Sequence, residues 1–518
     1  MKRTFDIAII GSGFAGSLLA MIARQLGRSV VLLEKTSHPR FAIGESSTPL
    51  ANLLLAELAT RYELPRLLPL CKWGEWQRAY PEIGCGLKRG FSFYYHQSGQ
   101  AFGEARDHSD QLLVAASPHD EIADTHWYRP DFDHFFVREA QSMGVEYLDE
   151  ITLGSPTWGN EGVTLEGKRH GETVSIRAGF CFDATGPRGF LHQSLNLKEV
   201  VSSLPNTQAL YTHFSGVERL ESLLMPHPEV PPYPVDDAAL HHVFEGGWIW
   251  VLRFNNGLVS AGVAANDRLA NDLRLGEGAP AWARLLEQLP MVRQQFEYSI
   301  PMRKFVYAKQ LSFRSQTVVG PRFALLPSAA GFVNPLLSMG FPLALLGVSR
   351  IACALEQDWE TSRFEAKLQK YADNTQAELV MAEQLIAALY ANMNDFKLFK
   401  SLSLLYFAAA SFSETARRLD KPQMSGGFLM HDNPRFGALA RACFVKAQMP
   451  LDAREREELI AQIESIIKPF DVAGLMKRRR NNWYPVFAED LFAAKDKVNA
   501  TREELELLLK RTGFNVGS

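Results

Sequence analysis

Cysteine is scarce: there are five in 518 residues, at 71, 85, 181, 353 and 443. They are too few and too scattered for a disulfide framework, and no Cys-x-x-Cys pair offers a zinc ribbon or a dithiol redox centre. Charge of one sign is also lacking. Lys and Arg total 55 against 58 Asp and Glu, a net charge of −3, so no basic field is available to hold nucleic acid or an anionic membrane. The one basic run, Lys477–Arg480, reads as a solvated helix face. The longest apolar stretches, 341–349 and 402–412, are shorter than a bilayer span. Repeats and low-complexity linkers are missing, and the N-terminus enters a strand-and-glycine motif at once, leaving no room for a signal peptide. These absences lead to the expectation of a cytoplasmic protein in a reducing compartment, with no nucleic-acid or membrane partner.

The chain is 46% hydrophobic and 22% charged, so it can bury a large core. Length alone suggests about three domains. The strongest local signal is residues 5–35. Phe5–Ile10 reads as a strand, Gly11-Ser12-Gly13-Phe14-Ala15-Gly16 as a glycine turn, Ser17–Leu26 as a helix, and Ser29–Leu33 as a second strand ending in Glu34. A glycine fingerprint between strand and helix, with an acid some 20 residues on, marks a dinucleotide site. The glycines let backbone N–H groups approach a pyrophosphate at the helix N-terminus, and Glu34 would accept from a ribose. A glycine turn that binds nothing is the alternative.

From about 75 to 260, β-rich runs alternate with turns: 90–96, 145–153, 241–254 and 257–265. They suggest an antiparallel sheet inserted into the nucleotide-binding domain, at about 75–125 and 190–315 of a first domain spanning 1–355. The run 180–187 reads as a strand returning to that domain, and 316–350 as a strand, a glycine-bearing loop and a helix. The remainder, 356–518, is predicted helical, with amphipathic runs at 362–391 and 451–468. His241 and His242 are adjacent on a strand and point to opposite faces, so no metal site is expected there or elsewhere.

Three segments separate FAD from NAD. HPRFAIGESSTP (38–49), WYRPDFDHFF (127–136) and DATGP (183–187) resemble the FAD-contacting segments of flavin monooxygenases. GESSTP together with GLKRGFSF (86–93), GGWIWVLRFNN (246–256) and GFVNPLLSMG (331–340) resembles the FADH2-dependent halogenases, and within them the pyrrole-halogenating branch. The resemblance runs from residue 5 to about 350. It implies an α/β, FAD-binding Rossmann-type (GR2-like flavin monooxygenase) fold with the inserted antiparallel sheet and a helical C-terminal region. The implied cofactor contacts are Gly11, Gly13, Phe14, Ala15, Gly16, Glu34, Arg40, Gly44, Glu45, Ser46, Ser47, Arg129, Asp183, Gly186 and Pro335.

The resemblance further implies that FADH2 and O2 form a flavin C4a-hydroperoxide. A halide, chloride or bromide, attacks it to give hypohalous acid, which Lys88 guides to an electron-rich aromatic small molecule such as a pyrrole or phenol. A lysine suits that role because its amine can form an N–halogen bond or donate a hydrogen bond, and partial burial lowers its pKa. Trp248 and Trp250, two apart on a strand, share one face and either line the space between flavin and substrate or simply pack a sheet. Ser338, Met339 and Gly340 precede a helix whose free N–H groups suit a halide. Arg253 either meets an anionic substrate or lies outside.

The chain departs from the family in places. Trp248-Ile249-Trp250-Val251 is followed by Leu252 and Arg253 where W-x-W-x-I-P is usual, and Pro327-Ser328-Ala329 stands where Gly-Asp-Ala is common. Leu337 matches the Glu that tryptophan halogenases carry, which argues against tryptophan as substrate. A flavin hydroxylase and a halogenase-like FAD oxidoreductase without halogenating activity are the other readings. With no second dinucleotide fingerprint, reduced FAD is expected from a separate NAD(P)H:flavin reductase, and the assembly is expected to be a monomer or homodimer.

Overall fold

The computed structural model describes residues 2–514 apart from 203, 226 and 227. Five strands, Phe323–Leu325, Glu172–Asp183, Lys2–Ile10, Val30–Leu33 and Glu146–Leu148, lie side by side in parallel. Such strands are covered on both faces, and the run Ile7–Ile10 with Val30–Leu33 is accordingly apolar and buried throughout. The helix Phe14–Gln25 covers one face of this sheet, packing against Arg129–Ser142 and Gly340–Asp358.

A second sheet runs in the order Ile300–Pro301, Thr207–Ser215, Val259–Asn266, Gly247–Arg253, Ala239–Phe244, Gly90–Tyr95, Gln111–Ala115 and Trp483–Tyr484. The sequence suggests an antiparallel sheet over these stretches, and the structure differs from that in three respects. The sheet is mixed, because Ala239–Phe244 lies parallel to Gly90–Tyr95. The run 145–153 belongs to the first sheet: Glu146–Leu148 is its parallel edge, and Ile151–Leu153 pairs with Gly162–Arg169. The C-terminal region, otherwise helical, lends Trp483–Tyr484 as a parallel strand beside Gln111–Ala115. A short apolar-aromatic run with no alternation gives no period by which to tell strand from helix.

Two further expectations change. Lys477–Arg480 is not a solvated helix face. Arg478–Arg480 is a single 3-10 turn, and Lys477 and Arg480 both ion-pair with the buried Asp490, although Arg478 and Arg479 are exposed. Leu336–Asp358 is long and apolar enough to cross a membrane, with mean hydropathy 1.7, because the run at 341–349 continues into a longer helix. Its most apolar stretch is 72% buried inside the protein, so this apolarity serves the core. The helices Ser362–Ala391 and Phe396–Arg418 complete that core, Tyr371 donating its hydroxyl to the Leu325 carbonyl at 2.6 Å. All five cysteines are free.

Candidate active site

The dinucleotide turn sits at the C-terminal ends of the parallel strands, where ligands bind in sheets of this kind. Gly11 has φ +99°, and a Cβ there would lie 2.6 Å from the Ala184 carbonyl, so only glycine fits. Gly13 caps the helix Phe14–Gln25, and its open side faces two cations. A Cβ on Gly13 would meet Arg129 Nη2 at 3.4 Å and Arg40 Nη2 at 3.6 Å. Phe14, Ala15 and Gly16 begin the helix and are buried, Phe14 edge-on to Trp127 and Phe341.

Glu34 ends the second strand. It accepts from the Ser12 amide at 3.1 Å, the Ser12 hydroxyl at 2.9 Å and both Thr36 donors, and pairs with Arg40 at 3.3 Å. Burial raises its pKa, but Arg40 and the amides of Ser12 and Thr36 outweigh that and hold the carboxyl below its ordinary value. Asp183 is fully buried and fixes the adjoining turn through Thr185 and Leu191, with Gly186 at φ +83°. Arg129 grips Asp133 at 2.8 and 2.7 Å and donates to the carbonyls of Ile43 and Gly44. It thereby fastens the loop that carries Gly44, Glu45, Ser46 and Ser47.

That loop forms one wall of a cavity of about 100 Å³. Trp248, Trp250 and Leu252 also line it, sharing a face as residues two apart on a strand do, together with Pro335, Ser338, Met339 and Gly340. The two indoles lie 5.6 Å apart, their N–H groups donating to Tyr390 and Ser260. Leu337 and Ser338 both have left-handed backbones, φ 65° and 55°, just before the helix Gly340–Asp358, and such strain in non-glycine residues gathers at functional sites. Arg253 has a different place from the substrate wall. It extends from the other face of its strand to Asp236 at 2.9 Å and to the carbonyls of Val217 and Glu218.

Lys88 is wholly buried behind the residues that line this cavity, its side chain reaching Ser46. Its Nζ donates to the Ser46 hydroxyl at 2.9 Å and to the Ser47 carbonyl, and lies 3.9 Å from the centre of the Phe91 ring. Burial draws its pKa well below the ordinary lysine value, against the opposing pull of Asp124. A second cavity, of about 190 Å³, is lined by Phe91, Asp124, Tyr406, Phe407, Glu414 and Arg418. The C-terminal tail closes it with Tyr484, Phe487, Leu508 and Phe514. Thus Ser46 touches one cavity, Phe91 and Asp124 touch the other, and Lys88 contacts residues of both.

The sequence reading missed three neighbours of Lys88. Asp124 is its register partner on the strand Asp124–Trp127. His126 is fully buried, and Lys88 adds to the burial that lowers its pKa. His241, stacked 4.4 Å from Phe93, lines the smaller cavity, its pKa drawn down to about 3 by burial and by Lys88.

The residues fit an FAD. The turn and the Arg40 and Arg129 guanidiniums suit a pyrophosphate, Glu34 suits a ribose, and the smaller cavity suits the edge of a flavin ring. Among the described residues, Arg40 Nε and Glu45 Oε2 are buried there without hydrogen-bond partners of their own. A parallel sheet ending in this cradle defines a flavin-binding oxidoreductase.

A family model described as FAD dependent oxidoreductase matches residues 6–301. The monodechloroaminopyrrolnitrin halogenase of Pseudomonas fluorescens is 29% identical over 416 residues, 78% of this chain and 70% of that protein. The tetracycline 7-halogenase of Kitasatospora aureofaciens is 28% identical over 378 residues, 70% of this chain and 66% of that protein. Among solved structures, the halogenase PltM in complex with phloroglucinol and FAD superposes with a TM-score of 0.79 at 25% identity. It covers 92% of this chain and 99% of that one. The chain belongs to the FAD-dependent oxidoreductase family, and the relatives and the solved structure that it resembles are halogenases.

Proposed function

We propose that this enzyme chlorinates or brominates an electron-rich aromatic ring of the phenol or pyrrole class, held in the larger cavity and served by Lys88. One observation supports the reading: the buried Lys88 bonds Ser46, which lines the flavin-side cavity, and lies against Phe91, which lines the aromatic one. When bound, reduced FAD supplies, with O2 and a halide, a hypohalous acid. The strained loop Ser338–Gly340, at the head of the helix Gly340–Asp358, offers backbone N–H groups to the halide. Trp248 and Trp250 fill the flavin-side wall and keep a ring substrate away from the flavin. Lys88, with two of its hydrogens fixed by Ser46 and Ser47, donates the third to the oxygen of the acid and holds its halogen beside the ring. The reductant arrives as FADH2 from a separate NAD(P)H:flavin reductase.

The test combines the protein with FADH2, air, bromide and a panel of phenols and pyrroles, followed by mass spectrometry. Brominated rings that appear only with bromide are the expected products. Hydroxylated rings formed regardless of halide would overturn the assignment of Lys88 and of the substrate class. Rapid reduction of bound flavin by NADPH alone would remove the separate reductase.

A further inference from the structure

Halogenation of a ring releases a proton, and the reading above leaves its acceptor unassigned. Among the described residues, two carboxylates line the substrate cavity, Asp124 and Glu414. Glu414 is held by Arg418 at 2.8 Å, an ion pair that weakens it as a base. Asp124 forms no ion pair among the described residues, although Lys88 and Arg418 both favour its charged form. One oxygen accepts from the Asn52 amide at 2.8 Å, Asn52 is in turn bonded by the Ser47 hydroxyl, and Ser47 also receives Lys88. Asp124 keeps 7% of its surface, on a residue that lines the cavity, and its Cα pairs in register with that of Lys88. Around it stand Lys88 on its partner strand, Asn52 on the helix Pro49–Arg61, and Glu414 with Arg418 on Phe396–Arg418.

We propose that Asp124 is the proton acceptor of the halogenation step, a role that rests on the assignment of Lys88 above. The ring's π electrons form the carbon–halogen bond as the halogen–oxygen bond breaks. The oxygen keeps that pair, takes a proton from the Lys88 ammonium and leaves as water. The C–H pair returns to the ring while its proton passes to the Asp124 carboxylate. Transfer of that proton to the Lys88 amine restores both groups, so the net change is Ar–H plus HOX to Ar–X plus water. Burial raises the affinity of Asp124 for a proton, with Glu414 adding to it and Lys88 opposing, so the carboxylate is a stronger base than one in water.

Asp124→Asn keeps the size and the contact with Asn52 but removes the base. FAD binding and trapped hypohalous acid should match wild type, while ring bromination falls about 100-fold, as loss of a general base does. Loss of the charge also favours the neutral form of Lys88, so rate alone does not isolate the role. The deciding measurement is the isotope effect on the phenol or pyrrole that wild type converts best, compared with its ring-deuterated form. A normal primary effect should appear in Asp124→Asn where wild type has none. Formate should restore bromination to Asp124→Ala, which serves if the Asn variant loses its fold. Bromination by Asp124→Asn at the wild-type rate without an isotope effect would overturn the proposal and leave the Lys88 reading intact. If wild type releases hypohalous acid but brominates no ring of the panel, the substrate reading fails beneath it.

Discussion

Lys88 and Asp124 are register partners across a buried two-stranded ribbon, and burial drives both toward their neutral forms while each opposes the other's shift. Halogenation needs the opposite state of both, an ammonium and a carboxylate. Product formation should therefore fall as pH rises through the lowered Lys88 value, well under the ordinary lysine range. It should also fall as pH drops through the raised Asp124 value, above the ordinary carboxylate range. The check is a pH profile of brominated product divided by total hypohalous acid trapped. A profile flat from mildly acidic to strongly basic pH would contradict it.

Gly13→Val should abolish FAD binding. The added branches would enter the space between the helix N-terminus, Arg40 and Arg129, where even a Cβ comes within 3.4 Å of a guanidinium nitrogen. Titration with FAD, followed by flavin absorbance, should show at least about a tenfold loss, roughly 1.4 kcal/mol. Normal affinity in the folded variant would remove the pyrophosphate from this turn.

Much of that cradle was legible in the sequence because its determinants are local: strand, glycine turn, helix and Glu34 lie within some thirty residues. Lys88 and the Trp248–Trp250 pair were singled out through the motifs they share with the family. Asp124, His126 and His241 were not. Each looks like an ordinary strand residue until the strands Cys85–Lys88, Asp124–Trp127 and Ala239–Phe244 converge. Arg253 stayed undecided between two places for a related reason, since its partner Asp236 lies in a loop whose path local spacing does not fix. The strand Trp483–Tyr484, two residues long, carries no periodicity at all.

Ala410→Trp should plug the substrate cavity without touching the flavin site. Ala410 lines that cavity on the helix Phe396–Arg418, facing the tail residues Tyr484 and Leu508. Ring halogenation should drop in kcat/KM by about tenfold or more, since a misplaced substrate loses its oriented approach. FAD affinity and hypohalous acid release should stay at wild-type values. An equal loss of FAD binding would mean that the tail and this helix act as a structural staple.

The most direct measurement follows both fates of the oxidant in Lys88→Ala: halogen on the ring and halogen caught by a thiol trap. The substitution removes two hydrogen bonds, to Ser46 and Ser47, and leaves Asp124 without its cation. Stability should fall by about 1–3 kcal/mol, and Asp124 is then expected to protonate rather than remain as a bare buried charge. The flavin cradle does not include Lys88, so FAD should bind and FADH2 should still be consumed. Trapped hypohalous acid should be undiminished, with ring halogenation reduced by orders of magnitude. Wild-type ring halogenation by Lys88→Ala would contradict the role assigned to Lys88.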